Sequence, residues 1–505
     1  MCYGGQRFPS WIGDPSFSVI EVLKLENCEN CTSLPSLGLL SSLKHLTVKG
    51  LTKLKSIGIE VYGKDCSKSF QSLKILRFEN LPEWEHWDTE FKENGLVAGF
   101  SSLRQLSIVK CPKFSGKSLE HLPSLGRQST TLACLPEEIL GKNSQLESLY
   151  IQDCHSLRLI ARRKLSSSLK SLKIQSCQKL QHLVDDEEGA SSSSSMMLKH
   201  LEIRYCPQLT SFSSGTQLLE ALEVLHVSNC PLLESIPGGL HNIQSIDIED
   251  CANVVSLAER GLPNTISSVK IWSCEKLEAL PNNMHKLHSL QFLEVRRCPS
   301  LVSLAERGLP ITISRVFIED CEKLKALPDN IHKLKSLQFL EIRRCPSIVS
   351  FPEEGFPASL KSLVIGGDVK MYEALIQWGL HKLTSLRRLL IAEECHEAEC
   401  FPDEEIGMTL PTSLIELQLW GLSKLKLLSS TGFQCLTSLE YLCIQNCLNL
   451  TSFPEVGLPS SLLELKLIMC PMLEKECKRN KGKEWSKIAN IPRVVIEGEI
   501  IYTVE

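Results

Sequence analysis

The sequence predicts an α/β solenoid with one short parallel strand per repeat, and three observations predict it. The first is a mixed spacing. In LQFLEVRRCPSLVSL, residues 290–304, the apolar positions Leu290, Leu293, Val295, Cys298, Leu301 and Leu304 are separated by 3, 2, 3, 3 and 3 residues. Neither a strand period of two nor a helix period of about 3.6 fits throughout. A short strand through Leu293 and Val295, followed by a looser return path, does fit. The second observation is recurrence, because the pattern restarts about eighteen times. The third is a cysteine that keeps returning to one slot of the repeat.

Taking the first apolar position as marker, units begin at Ile20, Leu43, Leu73, Leu103, Leu146, Leu169, Leu198, Leu222 and Ile243. They continue at Ile266, Leu290, Ile313, Leu337, Leu360, Leu386, Leu414, Leu439 and Leu462. From Leu198 to Leu360 the steps stay between 21 and 24 residues. This L-x-x-L-x-L-x-x-(N/C)-x-x-L recurrence is the signature of a leucine-rich repeat. The expected architecture is a leucine-rich-repeat horseshoe with a parallel β-sheet on the concave face. The convex side should be mostly irregular, since many return paths carry a Leu-Pro or Phe-Pro step, as at Leu34-Pro35, Leu280-Pro281, Leu327-Pro328, Phe351-Pro352 and Phe453-Pro454. Proline lacks the N–H that a ladder needs and biases its predecessor to extended backbone.

Residues 1–19 read as an N-terminal flank, 20–474 as the solenoid of about 18 repeats, and 475–505 as a C-terminal cap that closes the last core layer. The 43-residue step from Leu103 to Leu146 predicts a degenerate unit near 115–145. The acidic and Ser-rich stretch from Asp185 to Ser195 reads as a surface loop. A duplication is also visible. Residues 254–300 match 301–347 at a constant offset of 47, with 36 of the 47 positions identical. Nearest-neighbour stacking tolerates the insertion of such a block.

Composition narrows the function classes. The chain is 43% hydrophobic but only 6% aromatic, as thin Leu/Ile layers require. A formal net charge of -4 argues against nucleic acid as the main partner. No apolar run approaches the ~18 residues of a membrane span, and the first twenty residues carry no secretory pattern. Thirteen of the 22 cysteines (28, 111, 154, 177, 206, 230, 251, 274, 298, 321, 345, 447 and 470) share one slot of the repeat. Cysteine there acts as a small buried hydrophobe with a weak S–H donor. Free thiols in a reducing, cytoplasmic setting are the expectation.

Chemistry is sparse. No G-x-x-x-x-G-K-[ST] stretch offers a phosphate cradle. Cys28-Glu29-Asn30-Cys31 has the C-x-x-C form but lacks a second ligand pair, and Cys66 is too isolated to supply one. Cys395-His396 with Cys400 has no visible partner set. His241, His285, His332 and His381 recur before repeat starts and read as turn residues. No catalytic residue, metal site or cofactor is assigned, and the chain is not expected to be an enzyme.

What remains is a surface. Outward positions of neighbouring strands form columns roughly 4.8 Å apart. One column reads Glu202, His226, Asp247, Lys270, Glu294, Phe317, Glu341. The next reads Arg204, Ser228, Glu249, Trp272, Arg296, Glu319, Arg343, with Arg297 and Arg344 beside it. Aromatic residues and arginine are enriched in binding hot spots. The expected protein-binding set is therefore Tyr150, Arg204, Lys270, Trp272, Glu294, Arg296, Phe317, Glu319, Arg343 and Trp420. The competing expectation is that the mixed charges only solvate the face through cross-strand pairs.

Four stretches carry a family resemblance: YGGQRFPSWIGDPSF (3–17), LENCENCTSLPSLGLLSSLKHL (25–46), SLKILRFENLPEWEHWD (72–88) and KGKEWSKIANIPRVVIEG (481–498). With the repeats between them they closely resemble the leucine-rich-repeat region of plant intracellular disease-resistance proteins of the coiled-coil, nucleotide-binding type. The resemblance implies recognition of a pathogen effector or a guarded host protein, and a part in holding the receptor inactive. It also implies a nucleotide-binding domain as partner, in cis if the chain is a fragment; neither that domain nor the coiled coil lies within these residues. An adaptor recruiting substrates to a ubiquitin ligase is the alternative, although no F-box-like segment precedes residue 20.

Overall fold

A five-residue strand begins two residues after every repeat marker. The computed structural model describes residues 3–63, 69–89, 100–116, 133–140, 145–162, 165–184, 197–212, 219–236, 238–258, 261–348, 353–367, 369–392, 399–403, 407–479 and 481–503. Within these residues the chain forms two compact units, Met1–Pro263 and Asn264–Glu505. The division falls inside the first copy of the duplicated block. The Asp185–Ser195 stretch, Cys66, Cys395, His396 and the Phe351-Pro352 step lie outside the described residues, as do 117–132 and 141–144 of the degenerate unit.

The first unit contains β1 (Val22–Glu26), β2 (His45–Lys49), β3 (Ile75–Glu79), β4 (Gln105–Val109), β5 (Ser148–Gln152), β6 (Ser171–Gln175), β7 (His200–Arg204), β8 (Val224–Ser228) and β9 (Ser245–Glu249). All nine pair in chain order, parallel and in matched register. The second unit contains β10 (Ser268–Trp272), β11 (Phe292–Arg296), β12 (Arg315–Glu319), β13 (Phe339–Arg343), β14 (Ser362–Gly366), β15 (Arg388–Ala392), β16 (Glu416–Trp420), β17 (Tyr441–Gln445) and β18 (Glu464–Ile468). These too are parallel and in register, so Leu293 lies beside Val316 and Val316 beside Leu340. This is the parallel-strand solenoid of leucine-rich repeats.

Core layers follow from the spacing. Leu290, Leu293, Val295, Cys298 and Leu301 are all fully buried, and Leu304 is nearly so. At roughly 25 cal/mol per Å² of apolar area, burying each such side chain contributes about 1.5–3 kcal/mol. All thirteen slot cysteines are buried free thiols. Each donates from Sγ to the carbonyl two residues back, as Cys298 does to Arg296 O at 3.4 Å and Cys345 to Arg343 O at 3.3 Å. The slot therefore uses the weak S–H donor as well as the small volume.

The residue just after the strand makes the corner. It takes a positive φ at Asn27, Asp153, Asn229, Asp250 and Asp320, where short polar side chains tolerate it, and also at Arg297 (53°) and Arg344 (50°). Its N–H donates to the last carbonyl of the following strand, as Arg297 does to Glu319 O at 2.8 Å. The return paths are irregular, with 3-10 turns at Met284–Lys286, Ile331–Lys333 and Leu380–Lys382 that hold His285, His332 and His381. The longest described helix is Val369–Trp378.

Two of the flanking motifs turn out to be structural. In the first unit Trp84 and Trp87 are buried, Trp84 stacks on Phe114 with centroids 4.1 Å apart, and Trp87 Nε1 donates to Tyr62 Oη at 2.9 Å. In the second, the C-terminal stretch forms helices Pro471–Glu476 and Trp485–Ile488, then β19 (Arg493–Ile496), parallel to β18, and β20 (Glu499–Thr503), antiparallel to β19. Buried Glu484 accepts from Phe453 N at 2.8 Å and pairs with Lys487 at 3.0 Å, which ties this stretch to the return path after β17.

Candidate protein-binding face

In a strand of form x-Leu-x-Ile-x the first, third and fifth side chains leave the core. Every expected binding residue stands on such a position. Tyr150 and Arg204 are in the first unit. Tyr150 donates to Gln152 Oε1 at 2.5 Å, and Arg204 Nε lies 2.8 Å from Glu202 Oε1. The other eight are in the second unit. Lys270 and Trp272 are on β10, Glu294 and Arg296 on β11, Phe317 and Glu319 on β12, Arg343 on β13, and Trp420 on β16.

Across β11 to β13 the face is a lattice of paired charges. Arg296 lies 2.7 Å from Glu294 and 3.5 Å from Glu341, and also bonds Glu319. Arg343 reaches Glu319 at 3.5 Å and Glu341 at 3.9 Å. Arg344 bonds Glu319 and binds Asp320 at 2.5 Å, while Arg297 lies 3.9 Å from Asp320. The carboxylates do not face open solvent: Glu294, Glu319 and Glu341 are 7–8% exposed beneath the guanidinium groups. Burial pushes the Glu341 carboxyl above its ordinary value, against the opposing pull of Arg296 and Arg343. Burial likewise works against the charge on Arg296, but Glu341, Glu319 and Glu294 outweigh it and raise its value. The Arg344 hydrogen bond depresses Asp320.

An aromatic column runs beside this lattice. Phe317 lies between Phe292 (centroids 5.3 Å apart) and Phe339 (4.6 Å, stacked). The Arg296 guanidinium is 5.5 Å from both the Trp272 and the Phe317 rings. Beyond Phe339 the face turns aliphatic: Val364, Leu390 and Ala392 form a buried cluster against which Phe339 and Trp420 pack. Trp272 is the most open aromatic among these, at 37% exposed.

The sequence columns missed the first strand position, and with it Phe292, Arg315 and Phe339. The signal was present, since a period of two places residue one outward with residues three and five. Val364, Leu390 and Ala392 were hidden for another reason: SLVIG and RLLIA are apolar at almost every position, so alternation cannot show which side is in. Among the described residues no group of three His, Cys, Asp or Glu is placed to hold a metal ion, and no helix is long and apolar enough to cross a membrane.

Matches to leucine-rich-repeat family models agree with this architecture. A family model described as R13L1/DRL21 leucine-rich repeats matches residues 1–51. A second, for the leucine-rich repeats of plant disease resistance protein RPS2-like sequences, matches residues 168–306. An RPP13-like disease resistance protein of Arabidopsis thaliana is 42% identical over 130 residues, which is 24% of this chain and 12% of that protein. Another Arabidopsis thaliana disease resistance protein is 35% identical over 170 residues, 33% of this chain and 12% of its own. The matched stretch is thus about an eighth of each curated relative. Among solved structures, YopM from Yersinia enterocolitica aligns with TM-score 0.40 and 18% identity over 78% of this chain and 75% of that one. The circular leucine-rich-repeat protein CroV588 aligns with TM-score 0.36 and 15% identity over 94% and 77%. Residues 1–51 and 168–306 thus match leucine-rich repeats of plant disease-resistance proteins.

Proposed function

We propose that the chain is the recognition module of a cytoplasmic plant immune receptor, a non-enzymatic surface that binds a pathogen effector or a guarded host protein. The observation that carries this reading is the outer sheet face of the second unit. There Trp272 stands on β10, which ladders with β11, and Trp420 on β16, which ladders with β15 and β17, so little ordering cost remains when a protein settles on them. A contribution to autoinhibition, by packing on a nucleotide-binding domain, draws support from the other end. In the first unit Trp11 (61% exposed), Val19 (83%) and Val22 (54%) are exposed apolar side chains on β1 or shortly before it. Leu23, which points inward, is only half-buried there.

The test is effector-dependent cell death in leaves expressing a full-length receptor that contains this array. Lys270→Ala with Trp272→Ala should abolish the response to the cognate effector at unchanged protein level. A full response from that variant would remove this face from the recognition surface.

A further inference from the structure

We infer that Lys270, Arg315 and the Phe292 ring between them form an acceptor for an acidic segment of the protein ligand, one that alternates carboxylates with apolar side chains. This rests on the outer sheet face of the second unit being the binding face. Lys270 Nζ lies 5.4 Å from the Phe292 centroid, and Arg315 Cζ lies 5.1 Å from the same centroid. One ring is thus flanked by two cations from the strands on either side of it.

These two cations differ from every other one on the neighbouring strands. Arg296, Arg297, Arg343 and Arg344 are paired with Glu294, Glu319, Glu341 and Asp320, so that four positive charges meet four negative ones. Among the described residues Lys270 and Arg315 have no carboxylate partner. The register neighbour of Lys270 is Glu294, but Glu294 is buried and bonded to Arg296. The lattice sums to zero and leaves a local charge of +2 carried by Lys270 and Arg315.

Placement over an aromatic face holds both groups in position before a ligand arrives, and their desolvation is partly offset by the ring quadrupole. Trp272, two residues along β10 and 37% exposed, gives an apolar shelf next to the charge. A carboxylate between the cations, with an aliphatic or aromatic neighbour on Trp272, satisfies the whole arrangement. A nucleic-acid backbone would call for a longer row of free cations than two, in a chain whose net charge is -4.

The probe is a short fluorescein-labelled peptide alternating glutamate with leucine and phenylalanine, with its lysine-for-glutamate counterpart as comparison. Binding to the full chain is read by fluorescence anisotropy at low and at physiological salt. The acidic peptide should bind, the basic one should not, and affinity should fall as salt rises. Lys270→Glu with Arg315→Glu should weaken the acidic peptide about tenfold or more and create binding of the basic one. Lys270→Gln with Arg315→Gln, which adds no carboxylate beside Glu294, should give the loss without the gain. Arg297→Glu, an exposed cation already paired, should change neither.

Equal binding of the two peptides by the wild-type chain, binding of neither, or acidic-peptide affinity untouched by both double variants would overturn the inference. Failure of the broader reading looks different. Trp272→Ala would then leave effector recognition intact, whereas failure of the acidic-segment inference alone leaves Trp272 necessary and the two charges dispensable.

Discussion

The two copies of the duplicated block keep an apolar core, with conservative changes such as Val295/Ile342, and differ most on their outer face. Of the eleven differences between 254–300 and 301–347, four fall together at Ser268/Arg315, Lys270/Phe317, Trp272/Glu319 and Ser273/Asp320. The second strand of each copy kept its outward residues: Phe292, Glu294 and Arg296 recur as Phe339, Glu341 and Arg343. In the second copy the diverged strand, β12, lies between these two identical neighbours and complements both. Phe317 fills the gap between Phe292 and Phe339, and Glu319 joins Arg296 to Arg343. In the first copy the diverged strand, β10, leaves Lys270 without a carboxylate partner among the described residues and Trp272 partly exposed. The same position in the repeat thus bridges two strands in one copy and, in the other, carries a cation without a carboxylate partner among the described residues beside a partly exposed tryptophan. The outward residues are accordingly not equivalent: Phe317 and Glu319 bridge neighbouring strands, whereas Lys270 has no carboxylate partner among the described residues and Trp272 is partly exposed.

The comparison breaks most severely at Arg296, which holds the lattice together. Arg296→Ala leaves three largely buried carboxylates sharing Arg343 and Arg344, and should cost about 3 kcal/mol in urea unfolding. The pH dependence has a definite sign. Glu341 is raised above its ordinary 4.5, so its contribution to stability is fully present below 4.5 and is lost as pH rises through the folded value. Asp320 is depressed below 3.8, so its contribution is present above 3.8 and is lost as pH falls through the folded value. Mild acidification from neutral pH toward 4.5 should therefore partly rescue Arg296→Ala. A variant equally destabilised at both pH values would contradict the assignment.

Phe317→Ala comes next. It removes one half-buried ring and two aromatic contacts, for about 2 kcal/mol. Its counterpart Lys270→Ala should change stability by less than about 0.5 kcal/mol, as solvent-facing positions usually do. In binding the order reverses, with Lys270→Ala costly and Phe317→Ala mild. Equal stability losses at the two positions would erase the distinction between the bridging position and its counterpart.

How much of this was legible without coordinates depends on the residue. The core layers of the regular repeats were legible, because Leu290, Leu293, Val295 and Cys298 repeat at a spacing that only a strand with a return path satisfies. The columns through Lys270 and Trp272 were legible from a period of two. That Glu294 and Glu319 are buried was not, because burial there comes from long arginine side chains on neighbouring strands, and cross-strand register sets those contacts. The left-handed corner was half-written. Asn27, Asp153 and Asn229 advertise it, whereas Arg297 and Arg344 adopt the same backbone with side chains that give no hint of it.

The slot cysteine is common to both copies and is buried in each. Burial pushes the Cys298 thiol up to about 12, and its S–H serves the Arg296 carbonyl. Cys298→Ala and Cys345→Ala should each cost about 1 kcal/mol through the lost donor and the small void. Iodoacetamide at pH 8 should modify exposed Cys435 in the folded chain and leave Cys298 untouched. Rapid alkylation of Cys298 without unfolding would contradict its burial.

The smallest effect is expected where the copies differ inside the core. Val295 and Ile342 occupy equivalent, fully buried positions, and each lies beside isoleucines of adjacent strands: Val295 beside Ile271 and Ile318, Ile342 beside Ile318 and Ile365. Since Ile318 touches both and accommodates either neighbour, the layer already tolerates a methylene more or less. Ile342→Val should cost about 0.5–1 kcal/mol for the group removed, and Val295→Ile should stay within about 1 kcal/mol of wild type in either direction. Neither should alter peptide binding, because the outward residues of β11 and β13 are the same and their register is set by the ladder. If Val295→Ile instead changed affinity for the acidic peptide, the layer beneath Phe292 would be tuning the face, and core and surface would not be separable in this block.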